Sequence, residues 1–149
     1  MEKISDIKTL TEEELKNWLK EVGEKPFRAD QIRNRLFCGQ VKSFDAMETI
    51  PAALREKLSA NFRITSLEEA KRLLSEDGTV KWLYRTHDGH HIETVLIPTN
   101  DRFSVCVSTQ IGCAQNCAFC RTAKLGFIRN LEAGEILEEI IRVNWYLEE

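Results

Sequence analysis

The chain has 149 residues, of which 30% are charged and 42% hydrophobic, and this composition is typical of a soluble globular protein. Its net charge of −3 excludes a uniformly basic surface, so any contact with nucleic acid must come from a local patch. No apolar run approaches the roughly 20 residues that span a bilayer, and the first residues lack the apolar segment of a secretory signal. We therefore expect a cytoplasmic protein with no membrane association.

The first third of the sequence has the spacing of helices. Thr11 and Glu14 form a capping-box pattern, and the apolar residues that follow recur every three to four positions. Two more helices are predicted to begin at Pro26 and Pro51. The first two helices are rich in basic side chains, which form either a solvated face or a local patch that could contact nucleic acid: Lys20, Lys25, Arg28, Arg33 and Arg35. We expect a helical domain over residues 1–64, with Trp18, Phe27 and Cys38 facing its core.

From Ser66 onward the apolar period changes to two, which is the period of strands. The pairs Asp77-Gly78 and Asp88-Gly89 separate alternating runs and predict hairpins in which both turn residues have positive φ. We predict a β-meander over residues 65–98. A further strand around Phe103 to Val107 is predicted to run directly into the cysteine cluster, and a helix carries Ile136, Ile140, Val143 and Leu147 on one face. Residues 99–149 thus form a strand, loop and helix, and the chain is of the α+β class.

Four of the five cysteines lie between residues 106 and 120, and three follow a C-x3-C-x2-C spacing: Cys113, Cys117 and Cys120. The odd count argues against a disulfide framework, and three clustered thiolates can bind a soft metal centre. A structural zinc site needs a fourth ligand, from Cys106 or a histidine, whereas a 4Fe-4S cluster can use three. The spacing alone does not distinguish a zinc site from a 4Fe-4S cluster. Arg121, Lys124 and Arg129 surround the thiols without a carboxylate and would lower their pKa.

The cysteine spacing, with Phe119 before the last cysteine, resembles that of radical S-adenosylmethionine enzymes. Four segments extend the resemblance to one family, the dual-specificity RNA methyltransferases, which methylate carbon 2 of adenine in large-subunit ribosomal RNA and in tRNA. They are residues 23–32, 92–98, 106–113 and 126–131. The resemblance implies the N-terminal part of such an enzyme, with a helical domain, a meander and the start of an incomplete radical SAM (β/α) barrel. This 149-residue chain is then expected to be inactive by itself.

The same resemblance implies roles for individual residues. The cysteines at 113, 117 and 120 would ligate a 4Fe-4S cluster that binds S-adenosyl-L-methionine, and Phe119 would flank that cofactor. Glu93, which shares a strand face with Val95 and Ile97, would be a proton acceptor whose pKa is raised by burial. Cys106 would form a transient disulfide with a methyl-carrying cysteine, and no cysteine follows residue 120.

The implied partners are large-subunit rRNA, tRNA and an electron donor such as flavodoxin, and the protein would be a monomer. Two other functions stay open on the sequence. One is the related antibiotic-resistance methylase that acts on carbon 8 of the same ribosomal adenine, although Phe127 favours the carbon-2 enzymes. The other is a non-enzymatic RNA-binding module that contains zinc.

Overall fold

The computed structural model describes residues 5–39 and 41–149, and the chain divides into two compact units that meet between Thr65 and Ser66. No helix in these ranges combines the length and apolar character needed to cross a membrane. The architecture is mixed, with four α-helices and antiparallel sheets in the described ranges. Each unit has its own hydrophobic core.

The N-terminal unit contains helices α1 (Glu12–Glu21), α2 (Arg28–Phe37) and α3 (Ala52–Asn61). Two short strands, β1 (Ser5–Asp6) and β2 (Phe62–Arg63), pair in parallel and join its two ends. The predicted capping box is confirmed, because the Glu14 amide donates to Thr11 Oγ1 at 3.2 Å and the Thr11 amide donates to Glu14 Oε2 at 2.7 Å. These bonds satisfy amides that a helix leaves unpaired at its start.

Apolar side chains from all three helices form the core of this unit, and Trp18 packs edge-on against Phe62 with ring centroids 4.9 Å apart. Two predictions for this unit are wrong. Phe27 is 49% exposed beneath the Arg28 guanidinium, and Cys38 is exposed. Both flank α2, whose buried stripe runs through positions 29, 32 and 36, and neither falls on that stripe.

The second unit contains a four-stranded antiparallel meander in chain order. Its strands are β3 (Glu68–Leu74), β4 (Val80–Arg85), β5 (His91–Thr99) and β6 (Arg102–Cys106). Turns at both predicted Asp-Gly pairs connect the first three strands. Only the glycines have positive φ, at +83° and +84°, so the expected positive φ at the aspartates is wrong. Asp77 instead accepts the Thr79 amide at 2.9 Å, which stabilises the turn from its side chain.

A separate antiparallel pair, β7 (Gln110–Gly112) and β8 (Phe127–Asn130), precedes the last helix, α4 (Ala133–Glu148). The strand predicted near Phe103 is the fourth strand of the meander, because a short turn lets it pair back onto β5. The expectation that it runs directly into the cysteine loop is therefore wrong: β7 and β8 flank that loop.

One face of the meander and α4 contribute to the same core, in which Trp82 meets Tyr146 edge-on with ring centroids 5.2 Å apart. The period of two is clear, with buried residues alternating along β4 and β5. The predicted stripe of α4 is only partly correct. Ile140 and Leu147 are exposed, whereas three glutamates are buried. They are Glu135, Glu138 and Glu139.

Candidate active site

The loop that carries the three clustered cysteines is closed at its base by a backbone contact between glycines. The Cys113 amide donates to the Gly126 carbonyl oxygen at 3.1 Å, and Gly112 and Gly126 have φ of +74° and +76°. A Cβ atom at Gly112 would lie only 1.7 Å from that oxygen. Glycine is therefore required at Gly112 both by backbone conformation and by space.

All three thiols of the loop are free and at least partly exposed to solvent: Cys113, Cys117 and Cys120. The Cys120 amide donates to the Cys117 carbonyl at 3.1 Å, and Asn116 turns the chain with a φ of 51°. Backbone amides of Ala123 and Thr122 donate hydrogen bonds that lower the pKa of the Cys120 thiol. This environment favours a thiolate, the form that binds metals.

Within the described ranges, no three Cys, His, Asp or Glu side chains are already gathered around a common point as a metal site. The donor set nevertheless fits a soft metal centre, since three thiols lie on one loop and none is committed to a disulfide. Phe119, between two of them, is 93% exposed. Leu125 of the same loop and Ile128 of the adjoining strand β8 are also exposed, so apolar side chains lie at the surface of this segment.

Arg129 at the end of the loop is committed to carboxylates and not to the thiols, contrary to the expectation of a cationic loop. Its guanidinium binds Asp88 at 2.7 Å and Glu135 at 2.7 Å, and the second carboxylate is fully buried. Hydrogen bonds from Arg129 hold the pKa of Asp88 well below its usual range. Burial raises the pKa of Glu135, but bonds from Arg129 and the Glu132 amide outweigh it and the net pKa is lowered. His87 Nδ1 lies 3.6 Å from Glu135.

The structure places Glu93 and Cys106 on the same face of the meander. Glu93 shares that face with Val95, and Val95 lies directly opposite Cys106 across β5 and β6. The burial expected for Glu93 is wrong, because its side chain is 53% exposed and forms an ion pair with Lys81 at 2.6 Å. Cys106 is also exposed. Glu93 lines a groove of about 210 Å³ together with Leu73 and Leu83.

Sequence reasoning missed Glu139, which is fully buried on α4. Its Oε2 atom accepts hydrogen bonds from Thr94 Oγ1 at 2.5 Å and from the Ser108 amide at 3.0 Å. Burial raises the pKa of Glu139 to about 7. Glutamate is common on exposed helix faces, so only its four-residue spacing from Glu135 and Val143 could have indicated an inward position.

Comparisons with known proteins extend over almost the whole chain. Residues 5–64 match the family model of the ribosomal RNA large subunit methyltransferase N-terminal domain. A dual-specificity RNA methyltransferase RlmN of Anaeromyxobacter dehalogenans is 45% identical over 93% of this chain, and a probable RlmN of Bacillus pumilus is 50% identical over 91%. The crystal structure of a radical SAM methyltransferase from Sphaerobacter thermophilus covers 97% of the chain with a TM-score of 0.85 and 38% identity.

The chain resembles the N-terminal part of RlmN-type RNA methyltransferases. It spans 37% and 38% of the length of the two RlmN relatives and 44% of the solved structure. The resemblance stated from the sequence segments is thereby confirmed, and it extends to both compact units.

Proposed function

We propose that this chain supplies the RNA-positioning unit and the cluster-binding loop of a radical S-adenosylmethionine methyltransferase that acts on carbon 2 of adenine in large-subunit rRNA and tRNA. The observation that carries the proposal is the loop between β7 and β8, where three free thiols lie on a single exposed segment. The identity to RlmN relatives over more than nine-tenths of the chain supports the choice of reaction.

The residues that would hold a 4Fe-4S cluster are Cys113, Cys117 and Cys120. When bound, such a cluster supplies the electron for reductive cleavage of S-adenosylmethionine. Three ligands leave one iron without a protein ligand, which is why this donor count suits a cofactor-binding cluster better than a closed structural site. Phe119 is exposed beside the third cysteine and would flank the bound cofactor.

Glu93 would accept the proton that leaves adenine, and Cys106 would attack the sulfur of the methyl-carrying cysteine, forming a transient disulfide as the sulfur–carbon bond of the protein–RNA adduct breaks. Both functions need accessible side chains, and both side chains are exposed on one sheet face. The Lys81 ion pair holds Glu93 Oε1, and Oε2 would accept the proton. Disulfide exchange proceeds through an accessible thiolate, which suits an exposed Cys106.

The N-terminal unit would position RNA through exposed basic side chains such as Lys20 and Lys25. Contacts of this kind bind phosphates and set orientation, and they carry no base specificity. In this proposal residues 1–64 form the RNA-positioning domain, residues 65–98 the meander extension and residues 99–149 the start of the radical SAM core. The protein would work in the cytoplasm as a monomer, with an electron donor such as flavodoxin.

Iron analysis of cysteine variants tests the proposal. Anaerobic reconstitution with iron and sulfide is expected to give a brown protein, and replacing any of the three loop cysteines by Ala should abolish most iron binding. Cys106→Ala and Cys38→Ala are matched controls and should retain the iron. Zinc in place of iron and sulfide, or equal loss of iron in Cys106→Ala, would contradict the three-cysteine cluster.

The product separates the two adenine methylases. A full-length RlmN relative whose N-terminal part is replaced by this chain is the appropriate enzyme, and mass spectrometry of its RNA product identifies the modified nucleoside. The proposal requires 2-methyladenosine, whereas 8-methyladenosine would assign the chain to the carbon-8 enzymes.

A further inference from the structure

Glu139 joins three segments of the second unit inside its core. The carboxylate starts from α4, and its Oε2 atom accepts one hydrogen bond from Thr94 on β5 and another from the backbone amide of Ser108, which follows β6. Thr94 is fully buried as well. Within the described part of the chain, Glu139 Oε1 has no hydrogen-bond partner.

The contact lies where the chain leaves the meander for the cysteine loop. The ladder between β5 and β6 ends at the pair of Val95 and Cys106, so its continuation would set Ser108 opposite Glu93. The ladder does not continue to that pair, and Ser108 is held by other hydrogen bonds. Its amide donates to Glu139, and its hydroxyl donates to the Glu93 carbonyl oxygen at 2.8 Å.

A buried carboxylate of this kind is costly to the fold. Removing an ionisable group from water without pairing every oxygen costs free energy, and a buried acid responds by raising its pKa. The pKa of Glu139 is raised to about 7, first by burial and also by the charge of Glu135, while the bonds from Thr94 and Ser108 act in the opposite direction. An apolar residue would fill this position at lower cost, so packing alone does not explain a glutamate here.

We propose that Glu139 is a positioning residue that fixes Glu93 and Cys106 relative to each other by holding Ser108 at the point where the chain leaves β6. Thr94 is the next residue after Glu93, and Ser108 lies two residues after Cys106. One carboxylate oxygen therefore restrains the segments that carry both side chains. The roles of Glu93 and Cys106 rest on the function proposed above, but the restraint itself does not.

The restraint can be tested on the chain without any cofactor. Hydrogen exchange of the Ser108 amide, followed by NMR, reports on the bond to Glu139 directly. Alkylation of Cys106, resolved from the other thiols by peptide mass spectrometry, reports on the segment before it. Glu139→Leu removes the acceptor and keeps the volume filled, whereas Glu139→Gln keeps an acceptor oxygen without the charge.

In Glu139→Leu, we expect Ser108 exchange to accelerate by about tenfold or more and Cys106 alkylation to change severalfold. Glu139→Gln should restore both rates to within about threefold of the parent protein, because the amide oxygen can still accept a bond. Thr94→Val loses one of the two donors and should show an intermediate Ser108 rate. This variant keeps the test valid if the leucine variant does not fold.

Two controls distinguish a local restraint from general loosening. Glu138→Gln changes a neighbouring buried glutamate whose partner is Arg142, and it should leave the Ser108 rate unchanged. Cys38, in the N-terminal unit, should be alkylated at the same rate in every variant. Unchanged Ser108 exchange in Glu139→Leu, or equal acceleration in Glu138→Gln, would overturn the proposal. Neither result bears on iron binding. The proposed function is therefore tested separately, by the iron analysis of the cysteine variants.

Discussion

At the scale of single residues, Arg129 determines how the end of the cysteine loop is held. It contacts the β4–β5 turn through Asp88 and the first turn of α4 through the buried Glu135. A guanidinium can bind two carboxylates because it presents several donors in a fixed plane. Removing it would leave a buried carboxylate without its cation, and that is more costly than losing an exposed ion pair.

Arg129→Met should therefore destabilise the second unit by about 3 kcal/mol at neutral pH. The pKa values of Asp88 and Glu135 are lowered in the folded state, so the stability they contribute is present above their ordinary pKa values near 4. It is lost as the pH falls, because the unfolded state then takes up protons that the folded state does not. The difference between parent and variant should thus shrink between pH 5 and pH 2.

Urea unfolding measured by tryptophan fluorescence checks this prediction. In a Trp18→Phe background the remaining tryptophans, Trp82 and Trp145, lie in the second unit and report on it. Arg121→Met is the control, since it removes an exposed arginine from the same loop. A pH-independent difference for Arg129→Met, or an equal loss in the control, would show that the ion pairs do not stabilise the fold.

At the scale of secondary-structure elements, the β7–β8 pair depends on the close approach of two glycines. Gly112→Ala would place a methyl group against the Gly126 carbonyl, and the hydrogen bond from the Cys113 amide would break. Gly89→Ala is a matched control, because its φ is also positive and no heavy atom lies within 4 Å of the added carbon. The control should lose about 1–2 kcal/mol through backbone strain alone.

Gly112→Ala should lose more stability than Gly89→Ala, and its Cys113 amide should exchange with solvent much faster than in the parent protein. Thermal unfolding measures the first effect and NMR hydrogen exchange the second. The prediction fails if the two substitutions destabilise the protein equally and the Cys113 amide stays protected from exchange. The loop would then tolerate a larger separation between residue 112 and the Gly126 carbonyl oxygen than the structure shows.

The elements that local sequence patterns determine could be predicted, and those that depend on tertiary contacts could not. The capping box at Thr11 and the turns around Gly78 and Gly89 are local, and each is present in the structure. The β7–β8 pair was missed because three and four residues are too few to show a period of two.

The candidate site shows the same division. The three-cysteine spacing can be read directly from the sequence, and the strand face that Glu93 shares with Val95 could be predicted from the period of two. The exposure of Glu93 and the burial of Glu139 could not be predicted. Exposure depends on which face of the meander the core covers. The buried face is determined by core contacts between residues far apart in the sequence, such as Leu67 and Val143.

At the scale of the whole molecule, the basic side chains of the N-terminal unit differ in how available they are for RNA. Arg33 donates to the Leu10 carbonyl oxygen and packs over the Phe37 ring, so it also serves the fold. Lys20 and Lys25 are exposed, and they can be changed with little effect on the core. They are the better probes of an electrostatic RNA contact.

The double variant Lys20→Gln, Lys25→Gln should bind tRNA several-fold more weakly than the parent chain at low salt. Each lost phosphate contact lowers the number of counterions released on binding, so the slope of log K against log salt should decrease by about 1–2 for the pair. The loss should be similar for unrelated RNA hairpins, because phosphate contacts do not read sequence. Fluorescence anisotropy over a salt series, with the whole chain, measures both quantities.

Lys42→Gln provides a control of the same substitution type, since Lys42 is exposed in the same unit but lies outside α1, α2 and their connection. For each charge removed, Lys42→Gln should change the RNA affinity by less than half as much as the double variant does. If all three lysines contributed equally, the attraction would come from the total charge and not from a patch on α1 and its connection to α2. A salt-independent affinity would remove the electrostatic contact altogether, and RNA positioning would then have to be sought in the second unit.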